Sequence, residues 1–169
     1  MCYVIEQMKP ADWEQVLEIY YHGMETQNAT FEINEPDWKT WEDWNRAHLS
    51  ECRLVVREDE HMLGWAALLP ISAREAYQGV AEISIYLHKD SMGKGIGTKL
   101  MQALMEASEE AGVWTLQSEI FPENIGSLKL HEKMGFRRVG IREKIGQMED
   151  GRWRDVVLVE RRSPHVGLD

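Results

Sequence analysis

Three glycines within five residues, Gly93, Gly95 and Gly97, flank Lys94 and Ile96 between an apolar run and a helix-like run. Such a loop lets backbone approach an anion closely, because glycine lacks the Cβ that would block it. The free N–H groups of a following first helical turn then point at phosphate oxygens, and the helix dipole adds to the attraction. Taken alone, the pattern also fits a tight strand-to-helix turn without a ligand. A dinucleotide site needs the Gly-rich turn after a first strand, with an acidic residue about 20 positions on. Here the loop lies mid-chain, and the Gly-Lys-Ser/Thr ending of a P-loop is absent.

Three further residues have chemistry to offer. Glu82 lies between Ala81 and Ile83 on the run that leads to the glycines. A carboxylate there can accept an ammonium proton, and partial burial would raise its proton affinity for the task. The plain alternative is a surface strand residue. His131 is the right type to orient a thiol or to protonate a thiolate, whose free thiol has a pKa of about 8.5. A lone histidine serves equally well as structure. Arg74, in a loop with Glu75 and Tyr77 just before Glu82, has the planar fork that binds both oxygens of a carboxylate. It also reads as a solvated loop charge.

The elements that must position these residues follow from periodicity. Tyr3–Met8 alternates as a short strand, and Pro10 suits a first helical turn. Trp13, Val16, Leu17, Tyr20 and Met24 share one helical face; Trp38, Trp41, Trp44 and His48 repeat the spacing, with Asp37 as N-cap. A tryptophan stripe at helical spacing is read as core or interface rather than a cofactor cage. Residues 53–57 and 62–69 form a strand pair around Asp59-Glu60, with a bulge at Gly64. Residues 70–79 hold too many breakers for regular structure. Val80–Leu87 is a strand, Ile96–Ala111 a helix ended by Gly112, and 114–120 a strand. A short helix over 124–134 closes at Gly135, and strands over 136–145 and 153–160 surround a Glu149-Asp150-Gly151 turn. This order predicts an α/β fold on a mixed sheet.

Composition sets the outer bounds. The 169 residues, 43% hydrophobic and 28% charged, fit a single folded domain spanning 1–169. With 19 Lys and Arg against 29 Asp and Glu, the net charge of −10 repels nucleic acid, so any anion must be drawn locally. Cys2 and Cys52 match no metal-ligand pair, and no His-Glu-x-x-His arrangement occurs, so no metal is expected. Without a basic-then-apolar leader or a run of about 18 apolar residues, the expectation is a cytoplasmic protein with no membrane partner.

The strand Val80–Leu87, the segment Gly93-Lys94-Gly95-Ile96-Gly97 and the long helix after it together resemble the acetyl-CoA motif of the GNAT superfamily. Met92 stands where that motif usually has Gln or Arg, with Lys94 a nearby cation. The segment from Asn124 to Phe136 is similar to the second CoA-contacting motif, with His131 where most members have Tyr. That histidine, with Phe121-Pro122-Glu123-Asn124 and Gly151-Arg152-Trp153-Arg154-Asp155-Val156, resembles the phosphinothricin and methionine sulfoximine acetyltransferase branch. The likeness runs from about Tyr3 to Arg161.

The resemblance implies a GNAT fold, a mixed central sheet flanked by helices, in which two adjacent strands splay to admit the pantetheine arm of acetyl-CoA. It assigns cofactor contacts to Ile85, Tyr86 and Leu87, to Gly93, Lys94, Gly95, Ile96, Gly97 and Thr98, and to Asn124 and Lys133. Glu82 would be the general base and His131 a second catalytic group. Phe31, Arg74, Glu75 and Tyr77 would meet a small amino-acid-like acceptor. A homodimer is implied as well. Peptide N-termini, polyamines or aminoglycosides are alternative acceptors, and a silent acyl-CoA-binding module is the alternative outside enzymes.

Overall fold

The computed structural model describes residues 2–30 and 39–169. Seven strands form one sheet: β1 Val4–Gln7, β2 Arg53–Glu58, β3 His61–Pro70, β4 Val80–Leu87, β5 Thr115–Ile120, β6 Arg137–Gln147 and β7 Trp153–Arg162. Their spatial order is β1-β2-β3-β4-β5-β7-β6. Every pairing is antiparallel except that of β4 with β5. The helices are α1 Trp13–Glu25, α2 Trp41–Ala47, α3 Ile96–Glu110 and α4 Ile125–Lys133. The predicted α/β fold with a mixed sheet is present.

Strand alternation distributes the core over two faces. Leu54, Val56, Ala66, Leu68, Ala81 and Ile83 pack against Ile96, Leu100, Met101 and Leu104 of α3. Val55, Met62, Trp65 and Ala67 turn the other way and meet Val16, Ile19, Tyr20 and Met24 of α1 with Trp44 of α2. The tryptophans are therefore core: Trp44 is fully buried, stacked on Trp41 at 5.7 Å between ring centroids. Ile19 replaces Leu17 among the deeply buried residues of α1, a one-residue rotation of the face expected from spacing.

Other boundaries shift in instructive ways. The helix expected after Asp37 is described only from Trp41, where Thr40 caps it by accepting a hydrogen bond from Asp43 N. Asp37 and Trp38 lie outside the described residues. His48 sits past the helix end, its Nδ1 2.7 Å from the Trp44 carbonyl and its ring stacked on Trp44. The register slips beside Gly64, so Leu63 is the extra residue of the bulge. A Cβ on Gly64 would fall 2.9 Å from the Tyr86 carbonyl, which explains the small residue there. Residues 75–77, expected to be irregular, form a short 3-10 turn.

One pairing decides where a site can form. β4 and β5 are in register for only three residue pairs, Val80 with Thr115, Ala81 with Leu116 and Glu82 with Gln117. Beyond Glu82, β4 continues to Leu87 against β3 alone, while β5 continues to Ile120 against β7. The two strands part, and a gap opens in the middle of the sheet.

Candidate active site

The site is built around that parting. Glu82, Ser84 and Tyr86 alternate onto the face that carries α1 and α2, because Ala81 and Ile83 turn toward α3. Gln117 and Glu119 of β5 share the face of Glu82, to which Gln117 is the register partner. A cavity of about 290 Å³ lies there, walled by Ala29, Thr30, Glu82, Ser84, Tyr86, Glu119, Phe121 and Val156, with Ile83. A smaller one of about 70 Å³ reaches through the gap toward α4, where Ser118, Ser127 and His131 line it. Both share Ala29, Ile83, Ser84, Tyr86 and Glu119. The arrangement is one passage through the sheet with a chamber on each face.

Glu82 is half-buried, and its carboxyl is pushed above the ordinary range. Burial is the main cause, the nearby Glu119 carboxylate adds to it, and a hydrogen bond from Gln117 opposes it. A carboxylate with raised proton affinity beside a cavity is suited to take a proton.

His131 is 1% exposed. Its Nδ1 lies 2.7 Å from the Ser127 carbonyl. A carbonyl oxygen only accepts, so Nδ1 carries the proton and donates it. Nε2, buried and without a partner, then presents a lone pair. Burial holds the imidazole below its usual 6.5, against the opposing effect of that hydrogen bond. A neutral His131 thus holds a buried acceptor beside the smaller chamber, which the residue lines.

The Gly-rich loop divides its labour. Gly93 and Gly95 adopt positive φ of 73° and 77°, and a Cβ at either would meet nothing within 4 Å. Gly95 is the N-cap of α3 without a side-chain cap, and no acidic residue stands in the first turn. The first-turn N–H groups of Ile96, Gly97 and Thr98 have the orientation that suits an anion. Gly97 differs: its Cβ would lie 3.3 Å from Leu87 and 3.5 Å from Leu130, so it lets α3 pack on β4 and α4. Met92 is exposed beside the cradle, as is Lys94. Among described strands, none pairs with the gap edge of β4 at Ile85, Tyr86 and Leu87, which leaves backbone groups for an extended ligand.

Asn124 caps α4, accepting from Ser127 N at 3.1 Å through Oδ1 and donating from Nδ2 to the Asn28 carbonyl at 3.1 Å. Its amide is thus engaged within the chain. Lys133 is exposed at the far end of α4. Arg74, Glu75 and Tyr77 are exposed in the loop between β3 and β4, the Arg74 guanidinium 5.5 Å from the Tyr77 ring centre. They are absent from the walls of both cavities. Phe31 lies outside the described residues.

Sequence reasoning missed Glu119 and Arg154. Glu119 accepts from Arg142 Nη1 of β6 at 3.0 Å. Arg154 of β7 is 7% exposed. Its Nη1 donates to the Gln27 carbonyl at 2.7 Å, and its Nη2 to Asn28 Oδ1 at 2.9 Å and Glu123 Oε2 at 3.0 Å. It lies 3.9 Å over the Phe121 ring. Arg154 thereby ties the segment carrying Ala29 and Thr30 to the start of α4. Its motif was visible in the sequence; its partners, 31 and more residues away, were not.

Outside this site, Glu18, His22 and His88 bring ligand-type atoms within 4.8 Å of one another. Both imidazoles accept backbone N–H bonds through Nδ1, from Lys89 and Asp90. The neutral rings therefore carry protons on Nε2, where a metal would need a lone pair.

Comparison with known proteins places this geometry. The model of the acetyltransferase (GNAT) family matches residues 13–136. A phosphinothricin N-acetyltransferase of Alcaligenes faecalis is 32% identical over 89% of this chain and 77% of its own. An L-methionine sulfoximine/L-methionine sulfone acetyltransferase of Pseudomonas paraeruginosa is 29% identical over 89% and 88%. The crystal structure of a GNAT superfamily phosphinothricin acetyltransferase from Sinorhizobium meliloti, in complex with acetyl-CoA, superposes with a TM-score of 0.84 at 25% identity, covering 100% of this chain and 92% of that one. With its glycine cradle, its parted strands and most of its length matched, the chain belongs to the acetyltransferase (GNAT) family.

Proposed function

We propose that this N-acetyltransferase moves the acetyl group of acetyl-CoA directly to the α-amine of a small L-amino acid analogue, such as methionine sulfoximine, methionine sulfone or phosphinothricin. The observation that carries the reading is Glu82, a carboxylate of raised proton affinity in the cavity wall where β4 and β5 part. The names of the relatives at about 30% identity supply the acceptor class.

In this reading Gly93, Gly95 and the first-turn amides of α3, with Lys94, hold the pyrophosphate, while Ile85, Tyr86 and Leu87 lend backbone to the pantetheine arm. Asn124 shapes the start of α4, and Lys133 serves the nucleotide side. Glu82 removes a proton from the acceptor ammonium, directly or through water. The neutral amine attacks the thioester carbon, and the oxyanion collapses with loss of the C–S bond. The nitrogen, cationic after attack, gives up its excess proton to the departing thiolate, which leaves as free CoA. His131, neutral with its lone pair on Nε2, orients a donor in the smaller chamber. Holding both substrates in one passage supplies proximity.

The acceptor carboxylate is assigned to Arg74, with Glu75 and Tyr77 of the same loop and Phe31 as further acceptor contacts. That assignment requires the exposed loop to fold over the larger cavity when acceptor binds. The protein works in the cytoplasm as a homodimer; supporting a second copy are the exposed Val139, Ile141 and Ile145 of edge strand β6 and exposed Trp153.

The test is thiol release from acetyl-CoA over a panel of amines, with methionine sulfoximine set against its carboxamide in wild type and Arg74→Ala. Wild type should prefer the acid by roughly 10- to 150-fold, the value of a charge-assisted hydrogen bond, and the variant should hardly discriminate. Equal use of acid and amide by wild type points instead to peptide or polyamine acceptors. Thiol release with none of the amines points to a silent acyl-CoA module.

A further inference from the structure

The larger cavity holds a second carboxylate that the general-base reading leaves without work. Glu119 lies two residues beyond Gln117 on β5, and Gln117 is the register partner of Glu82. Strand alternation therefore puts Glu119 on the face of Glu82, and both line the same cavity. Glu119 is exposed and Glu82 half-buried, so the two like charges repel through a partly solvated chamber. Part of that repulsion is offset by Arg142 of β6, whose Nη1 donates to Glu119 Oε1 at 3.0 Å, an ion pair reaching across β7. With one guanidinium against two carboxylates, the cluster keeps one net negative charge, which an arriving cation would cancel.

We propose that Glu119, braced by Arg142, is a second carboxylate of the acceptor site, which together with Glu82 receives the acceptor as its ammonium ion. The proposal rests on the reading of Glu82 as general base. Before transfer, Glu82 and Glu119 share the cation. Glu82 then takes its proton, leaving a neutral amine and a carboxylic acid, while Glu119 stays paired with Arg142. The Glu119 charge raises the proton affinity of Glu82, and the Arg142 charge limits how far.

Among the described residues, the other groups around Glu82 are accounted for element by element. On β3 its register neighbour is Leu69, and on β5 Gln117 donates to it. The loop before β4 bears the exposed Arg74, Glu75 and Tyr77. On β7, Glu160 pairs with Gln117 in register but is held by Arg137 of β6 at 2.7 Å. The wall facing α1 and α2 is uncharged Ala29 and Thr30. Among the described residues, Glu119 is the charge that raises the proton affinity of Glu82.

The experiment is the pH profile of kcat/KM for methionine sulfoximine at saturating acetyl-CoA, in wild type, Glu119→Gln, Arg142→Met and Glu82→Gln. In Glu119→Gln the acidic limb should move to lower pH and the acceptor KM should rise on the order of tenfold, with KM for acetyl-CoA unchanged. In Arg142→Met, which unscreens Glu119, the limb should move to higher pH. Opposite shifts are something a packing defect does not produce. Limbs that stay put, or that move together, overturn the proposal, as does a rise in KM for acetyl-CoA in place of the acceptor. Glu82→Gln separates the failures: if it keeps its turnover, the general-base reading falls, whereas if it alone loses activity, only the role of Glu119 falls.

Discussion

At Glu82, function and stability pull in opposite directions. Its carboxyl is raised mainly by burial, so the folded chain holds that proton more tightly than the unfolded chain does. The stability from this extra affinity is fully present below the unfolded pKa and is lost as pH rises through the raised folded value. At neutral pH the protein thus carries a charged, half-buried carboxylate at a cost. Glu82→Gln keeps the shape and removes the charge, so its thermal midpoint should exceed wild type at neutral pH and lose that advantage in acid. Turnover should fall by roughly 10²- to 10⁴-fold, the usual range for a lost general base. The deficit should narrow at high pH, where the amine is already neutral. Thermal melts and rates over one pH series check both; a variant with a lower midpoint and normal turnover refutes the reasoning. Replacing His131 by Ala should cost less turnover than Glu82→Gln does.

Among the elements, the segment after α1 depends on a residue far along the chain. Gln27 adopts φ of 58°, the left-handed region that costs a non-glycine residue about 1–2 kcal/mol. Arg154 holds it there through the Gln27 carbonyl, and Arg152 adds a hydrogen bond to Gln27 Oε1 at 2.9 Å. Ala29 and Thr30, next along, wall the larger cavity. Arg154→Met should release this segment and raise the acceptor KM while leaving acetyl-CoA binding at the α3 cradle nearly intact. Gln27→Gly adopts the same backbone without the steric cost. In the double variant it should recover part of the lost acceptor affinity. Steady-state kinetics on the three variants decide it, and an absence of rescue means that Arg154 acts through Glu123 and Phe121 instead.

Across the whole molecule, what was legible in the sequence was what local rules govern. β4 ends where periodicity put it, at Val80 and Leu87, and α3 and α4 close at Gly112 and Gly135, both at positive φ. The Gly-rich turn was legible because Gly93 and Gly95 answer a backbone requirement, a positive φ. Relations between distant strands were not. Nothing in the order of segments says that β7 inserts between β5 and β6, or that Arg142 reaches Glu119 across it. The same holds for Arg154, whose role depends on what faces it rather than on its neighbours in sequence. Glu119 itself had a usable signal, since it alternates with Gln117; the missing piece was that β5 lies beside β4.

The three-pair contact between β4 and β5 has a consequence for how the protein breathes. It divides the sheet into a four-strand block and a three-strand block, joined by little backbone hydrogen bonding. Opening of such a seam exposes amides without unfolding either block. In an antiparallel strand, successive residues aim their N–H groups to opposite sides, so alternate amides of 83–87 face the gap rather than β3. These should exchange with deuterium quickly in the free enzyme, while those of Val80–Glu82 exchange slowly. An extended pantetheine arm filling the gap would act as the missing strand. Acetyl-CoA should therefore protect 83–87 and 118–120 against exchange far more than the outer hairpin of β6 and β7, and the two blocks should then open as one unit.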